Sequence, residues 1–284
     1  MPSSLSLSSP FDLRGKTALV FGASRPIGKA IAVALAEAGA RLCVTWFDWP
    51  EDSARMMEEF DQRGYDYIAV RADLREPDQV ATVFARLVSE YGGLDVFINN
   101  IERGGMPVVH GPYTPQQWDL EMATTLKAKW WAARHAMPLL KAAPEGGVMV
   151  VLSSIAGVIG RSGPAGLVFN DGYAAANRAV ASFVATWARE GAPSVRVNEL
   201  MLGIFEHRHG EGTRGWGLLA EEERRAILGT ALLGRSGKTA EVARAVLFLV
   251  RDATYMTGAL LRLDGGYVLG ASRVPPMPPG EEDV

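Results

Sequence analysis

Seven short apolar runs, several rich in β-branched residues, alternate with longer segments of helical periodicity, and few architectures satisfy that alternation. The runs span residues 16–21, 41–45, 67–70, 95–99, 147–152, 195–200 and 259–263. After the first run, Ile27, Ile31, Ala34, Leu35 and Ala38 fall on one helical stripe, and Gly39 ends it. Further helices are expected over 50–62, 77–91, 115–141, 173–190 and 240–251. Strands that alternate with helices form parallel sheets with right-handed crossovers and helices on both faces. The expected fold class is therefore α/β, a doubly wound parallel sheet of Rossmann-like form. No repeat or linker divides the chain, so one domain is expected over residues 13–271, with Ser-rich and Pro-rich flexible segments at 1–12 and 272–284. Sheets of this kind hold ligands beyond the carboxyl ends of their strands.

Composition narrows the function classes. Of 284 residues, 48% are apolar, which permits a large core, and the net charge of −3 comes without any basic block. Nucleic acid and anionic membrane surfaces are thus not expected partners. The lone cysteine, Cys43, lies in an apolar run and reads as a core thiol of a reducing compartment. The first residues lack the basic and apolar regions of a signal peptide, and no apolar stretch reaches the ~18 residues that cross a bilayer. A soluble, cytoplasmic protein is expected.

Between the first strand and the first helix lies GASRPIG, Gly22 to Gly28. Glycines there permit a tight turn, and the helix N-terminus favours an anion such as a pyrophosphate. Further on, Tyr173 and Asn177 stand four apart in YAAAN and share one helical face.

Several segments together carry a family resemblance. They are GASRPIG, RADL (71–74), INN (98–100), VLSSIAG, YAAAN, VRVNEL and TGALLRLDGGY. In this order the chain resembles a classical short-chain dehydrogenase/reductase over roughly residues 13–270. The resemblance implies catalytic roles for Tyr173, Ser154, Asn177 and Thr125. It implies cofactor contacts from Gly22, Ser24, Arg25, Ile27, Gly28, Asp73, Leu74, Asn99 and Asn177. It also implies a substrate lid over about 203–237 and a homodimer or homotetramer, with Trp118, Trp130 and Trp131 as interface candidates.

The ligand-facing positions depart from the family pattern. Pro26 stands for the second loop glycine, Ile101 and Glu102 for Ala-Gly, Thr125 for the helix asparagine and Leu202-Gly203 for Pro-Gly. Asn177 stands for the catalytic lysine. The loop between Ser154 and Tyr173 is longer than usual in the family. In the family the tyrosine exchanges a proton with the substrate oxygen, and a cation beside it favours the phenolate, by about 1–3 pKa units. Asparagine brings no charge. Arg178 lies about 140° around the helix from Tyr173 and is expected to point away. Lys127 and Lys129 are other cations within range of the site from the long helix. His207, Arg208 and His209 are expected in a solvated, mobile lid, and no metal set accompanies them. His110 and His135 read as ordinary surface or packing residues.

Arg25 in the phosphate loop favours NADP(H) ahead of NAD(H), and Asp48 near the end of the second strand argues the other way. Three functions remain open on these residues. The first is NADP(H)-linked reduction of a small carbonyl compound. The others are dinucleotide binding without redox turnover, as a subunit or sensor, and a non-redox dehydratase or isomerase.

Overall fold

The computed structural model describes residues 11–104, 106–111, 113–270 and 272. Most of the expected flexible ends, residues 1–10 and 273–284, lies outside the described residues. Seven strands form one parallel sheet in the order β3-β2-β1-β4-β5-β6-β7. They are β1 Thr17–Val20, β2 Arg41–Trp46, β3 Tyr67–Arg71, β4 Val96–Asn99, β5 Gly147–Ser154, β6 Val195–Leu202 and β7 Leu260–Leu263. The chain winds outward from β1 to β3, then returns to the other side of β1 at β4. The carboxyl ends of β1 and β4 therefore flank a crevice at the switch point.

Both faces of the sheet are covered. Ala18, Val20, Leu42, Val44, Val96 and Ile98 pack into one core. Their neighbours Leu19, Phe21, Cys43 and Phe97 pack into the other. Period-2 alternation with apolar residues on both sides explains why these runs read as continuous hydrophobic segments. Burying each large side chain contributes about 1.5–3 kcal/mol. Burial also pushes the Cys43 thiol up to about 12, so it is an inert packing group.

Three helices flank the sheet ahead of β4: α1 Pro26–Glu37, α2 Pro50–Arg63 and α3 Pro77–Tyr91. Each starts with proline in its first turn, where the missing N–H costs nothing. The short α4, Pro107–His110, follows β4. The long helix expected over 115–141 is α5 Pro115–Glu121 and α6 Ala128–Lys141, joined by a π-helical turn over Met122–Lys127. Such a wide turn adds a residue that sequence periodicity does not show.

The long loop after β5 is ordered. It forms α7, Ala156–Ile159, and a 3₁₀ turn over Gly163–Leu167. Helix α8 spans Asp171–Gly191, starting two residues earlier than expected. After β6 come α9 Arg214–Leu218, α10 Glu221–Thr230 and α11 Thr239–Leu247. A π-helical turn over Phe248–Asp252 completes the last expected helix. A third cluster gathers above the carboxyl ends of the strands: Ile155, Val168, Phe169, Tyr173, Ile204, Trp216 and Tyr267. It joins the loop after β5 to the segment after β6 as one roof.

Candidate functional site

Asn170 caps α8, its side chain accepting a 2.7 Å bond from the Tyr173 N–H. That cap fixes Tyr173 in the first turn of the helix. The phenol is fully buried, and its hydroxyl is a hub. It donates to Glu102 Oε1 at 3.0 Å. It accepts from Arg208 Nη2 at 3.1 Å and lies 3.2 Å from His209 Nε2. The Ser154 hydroxyl lies close enough to lower the pKa of the phenol. Ser154 ends β5 directly opposite Leu202 of β6, and its Oγ also accepts from Ala156 N at 3.2 Å. Phe169 packs against both the Tyr173 and His209 rings, with centroids 5.8 and 5.1 Å apart.

Arg208 and His209 correct the expectation of a solvated lid. Arg208 is 7% and His209 4% exposed. The cause is a tight turn beyond β6, in which Phe205 and Arg208 exchange two backbone bonds of 3.0 Å. His207 and His209 take φ of 60° and 64°, left-handed values that non-glycine residues rarely hold. The turn drives the Arg208 and His209 side chains inward. His209 then fills the space beside Gly104, where a Cβ would come within 2.8 Å of the ring. The pattern HRH carried no signal for this. A four-residue turn with two left-handed non-glycine positions is invisible to periodicity.

The electrostatics follow from burial. Burial raises the Tyr173 pKa far above its ordinary value; the Arg208 charge opposes the rise and the Glu102 carboxylate adds to it. The phenol is therefore protonated at neutral pH. Arg208 is paired with Glu102 Oε2 at 2.6 Å. Burial lowers the Arg208 pKa, but Glu102 and Tyr173 outweigh it and keep the guanidinium charged. Burial takes His209 down to about 3, with the Arg208 charge adding to the fall, so its ring is neutral.

The other candidate residues occupy distinct places. Asn177 lies one turn beyond Tyr173 and is 1% exposed. Its Nδ2 donates to the Tyr173 carbonyl at 2.9 Å, and its Oδ1 has no partner. Thr125, in the π-helical turn, does not reach the phenol. Its Oγ1 accepts from Arg103 N at 3.1 Å and donates to Glu121, fixing the segment that carries Glu102. Lys129 does enter the cluster. It is fully buried, donates to the Ile101 carbonyl, and is lowered to about 8 by burial. Arg178 is exposed and so is Lys127.

The cofactor candidates line the crevice between β1 and β4. Gly22 lies in the turn just beyond β1 with φ of 67°. A Cβ on Gly28 would come within 2.1 Å of the Gly22 carbonyl, so only glycine lets α1 approach the turn this closely. Ser24, Ile27 and Leu74 are buried beside it. Asn100 Nδ2 ties the loop to β4 through the Phe21 and Gly22 carbonyls, at 3.2 and 3.4 Å. Asn99 donates to the Lys129 carbonyl at 3.0 Å, leaving its Oδ1 unpartnered. Asp73 accepts from Arg75. Arg25 lies on the Trp49 ring, 4.2 Å from its centroid, and pairs with Asp52 at 2.6 Å. This crevice fits a dinucleotide by two observations: the glycine-only approach at the turn, and the unpartnered buried oxygens of Asn99 and Asn177.

The comparisons with known proteins agree with this layout. Residues 22–268 match the family model described as Enoyl-(Acyl carrier protein) reductase. The chain belongs to the short-chain dehydrogenase/reductase family. Relatives in this family include the 3-oxoacyl-[acyl-carrier-protein] reductase FabG of Staphylococcus aureus. It is 31% identical over 255 residues, which cover 88% of this chain and 97% of the relative. The FabG of Thermotoga maritima is 30% identical over 261 residues, covering 90% and 99%. Among solved short-chain dehydrogenase/reductase structures, a dehydrogenase/reductase from Sinorhizobium meliloti superposes with a TM-score of 0.78 at 27% identity, covering 90% of this chain and 96% of the other. The chain is thus an oxidoreductase of the short-chain dehydrogenase/reductase family. Among the described residues, no helix is long and apolar enough to cross a membrane, and no cluster of metal-ligating side chains occurs.

Proposed function

We infer that the protein is an NADP(H)-linked reductase of a small carbonyl compound in which Tyr173 gives the proton. One observation carries this reading: a fully buried tyrosine hydroxyl sits beside Ser154 at the carboxyl ends of β5 and β6. Tyr173 donates to the carbonyl oxygen as negative charge develops there, and Ser154 orients that oxygen. Reduction needs only the protonated phenol, so it suits this site better than alcohol oxidation, which starts from phenolate. The Gly22–Gly28 turn and the α1 N-terminus would hold the cofactor pyrophosphate, and the unpartnered Asn177 Oδ1 would be free to accept from its ribose. A bound nicotinamide supplies the hydride.

Charge around the end of β2 supports NADP(H). Arg25, Arg55, Arg71 and Arg75 flank Trp46, Phe47 and Trp49, opposed by Asp48, Asp52 and Asp73. Glu76 also acts on Arg75, so the two signs balance, and the support lies in the guanidinium groups themselves, which suit a 2′-phosphate. The relatives described as 3-oxoacyl-[acyl-carrier-protein] reductases make 3-oxoacyl thioesters the first substrates to try. Trp130 and Trp131, half-buried on α6 beside Trp187 of α8, support the proposal of a homodimer or homotetramer.

Titration of the protein with NADPH and NADH, followed by a carbonyl panel, tests the reading. Tighter binding of NADPH and stoichiometric nicotinamide oxidation are expected. Failure to bind either at millimolar concentration would sink it. The enclosure of the Tyr173 hydroxyl by Glu102, Arg208 and His209 favours one second reading, dinucleotide binding without turnover, and binding with no oxidation across the panel would select it.

A further inference from the structure

We propose that Arg208 is the cation that acts on Tyr173 in proton transfer, delivered from the segment after β6 rather than from α8. The proposal rests on the reading of Tyr173 as the proton donor. Its starting point is that α8 offers Asn177 one turn on, and asparagine carries no charge.

Three cations come into question, and the geometry separates them. Arg178 is exposed on the far side of α8. The Lys129 ammonium is committed to the Ile101 carbonyl. Arg208 alone among these reaches the reacting atom, with Nη2 at 3.1 Å from the Tyr173 oxygen. The same nitrogen donates to the Ser153 carbonyl at 3.0 Å, which fixes its place at the end of β5. A guanidinium also holds its charge where a buried ammonium loses it.

A purely structural ion pair explains the site less well. Burying a charge pair costs about as much as its attraction returns. Arg208 also keeps two buried donors, Nε and Nη1, without partners. The turn that presents it holds His207 and His209 in left-handed conformations that non-glycine residues rarely adopt. A lid needing only to close over apolar groups would not require that strain. Sites that act on developing charge commonly hold it.

The carbonyl carbon gains a hydride, whose C–H bond would break on a bound reduced nicotinamide and leave that ring oxidised, and the carbonyl π electrons pass to oxygen. The Tyr173 O–H bond breaks and its proton forms the alcohol O–H. The remaining phenolate faces Arg208, which stabilises it until water returns a proton. Glu102 accepts from the phenol beforehand and keeps the guanidinium in register, so it is a positioning residue.

The test reads Tyr173 ionisation directly and needs no turnover. Protein labelled with 3-fluorotyrosine is titrated by fluorine NMR, and Tyr173→Phe assigns the resonance. Glu102→Gln is compared with the double variant Glu102→Gln/Arg208→Gln, so that no buried carboxylate is left alone. Glu102→Gln should titrate first, with the Tyr173 midpoint of the double variant about 1–3 units higher or beyond its alkaline unfolding limit. Adding Arg208→Lys to Glu102→Gln instead should recover part of the difference. If the glutamine double variant fails to fold, Arg208→Met on the same background replaces it. Equal midpoints, or no titration in either protein below its alkaline unfolding limit, would overturn the proposal. A difference in midpoint without reduction of any carbonyl by the wild type would leave Arg208 coupled to Tyr173 and defeat the reductase reading instead.

Discussion

The Arg208 guanidinium and the Tyr173 hydroxyl meet at 3.1 Å, although 35 residues of sequence separate them. One side chain comes from the capped start of α8, the other from a strained turn beyond β6. Their contact explains how a site without a lysine at residue 177 still places a positive charge beside the phenol.

Replacing Tyr173 by Phe removes the proton donor and the hydrogen bonds of its hydroxyl to Glu102, Arg208 and His209, while the ring packing is kept. The ring still packs on Phe169, and Arg208 keeps its pair with Glu102. Carbonyl reduction should fall by about 10²–10⁴-fold, the usual worth of a general acid. NADPH affinity, read by nicotinamide fluorescence, should stay within a few-fold. Unchanged turnover would remove Tyr173 from the chemistry.

Asn177 tests the division between charge and cofactor contact. Asn177→Ala should weaken NADPH binding by ~3–10-fold, the worth of about one hydrogen bond. Asn177→Lys should give no gain in reduction, because it brings a further cation into a crevice that already holds Arg208 and Lys129. It should also lower the melting temperature. A clear rise in kcat for Asn177→Lys would show that the phenol lacks a cation in the native protein.

Most of the fold was legible in the sequence, because buried parallel strands and one-sided helices leave strong period-2 and period-3.6 patterns. The strands 16–21, 41–45 and 147–152 correspond to β1, β2 and β5 within a few residues. The π-helical turn at Met122–Lys127 was not legible, since an extra residue in a helix changes no composition. Tyr173 and Ser154 stood out through motif position. Arg208 and His209 did not. Their inward direction depends on two left-handed residues, and a histidine or arginine in a polar run ordinarily faces water. Glu102 was noticed only as bulk, whereas its partners lie 71 and 106 residues away.

Arg25 decides cofactor preference in this reading. Arg25→Ala should raise the NADPH dissociation constant by ~10-fold or more, the worth of a charge-assisted bond, and leave NADH nearly unchanged. Parallel titrations with the two nucleotides check this. Equal losses for both would assign Arg25 to the pyrophosphate or to packing on Trp49.

His209 sets an acid limit on stability. Its folded pKa, about 3, lies below the ordinary value of 6.5. Between those values the unfolded chain binds a proton that the folded chain excludes. Stability therefore falls as pH drops from 6.5 towards 3. His209→Gln removes this titration, so melting temperature should decline less steeply over that window than in the wild type. Parallel curves for the two proteins would mean that the ring accepts a proton in place.

The roof over Tyr173 also has a bearing on timing. Arg208 and Trp216 belong to one segment, and both are buried with the phenol beneath them. Were that segment to lift for substrate exchange, it would withdraw the guanidinium from the hydroxyl. With Arg208 in the assigned role, access and activation are then alternatives, never simultaneous. An open protein is an idle one, and each turnover waits on a closing stroke. Added viscosity would slow such a cycle even where the hydride step is fast.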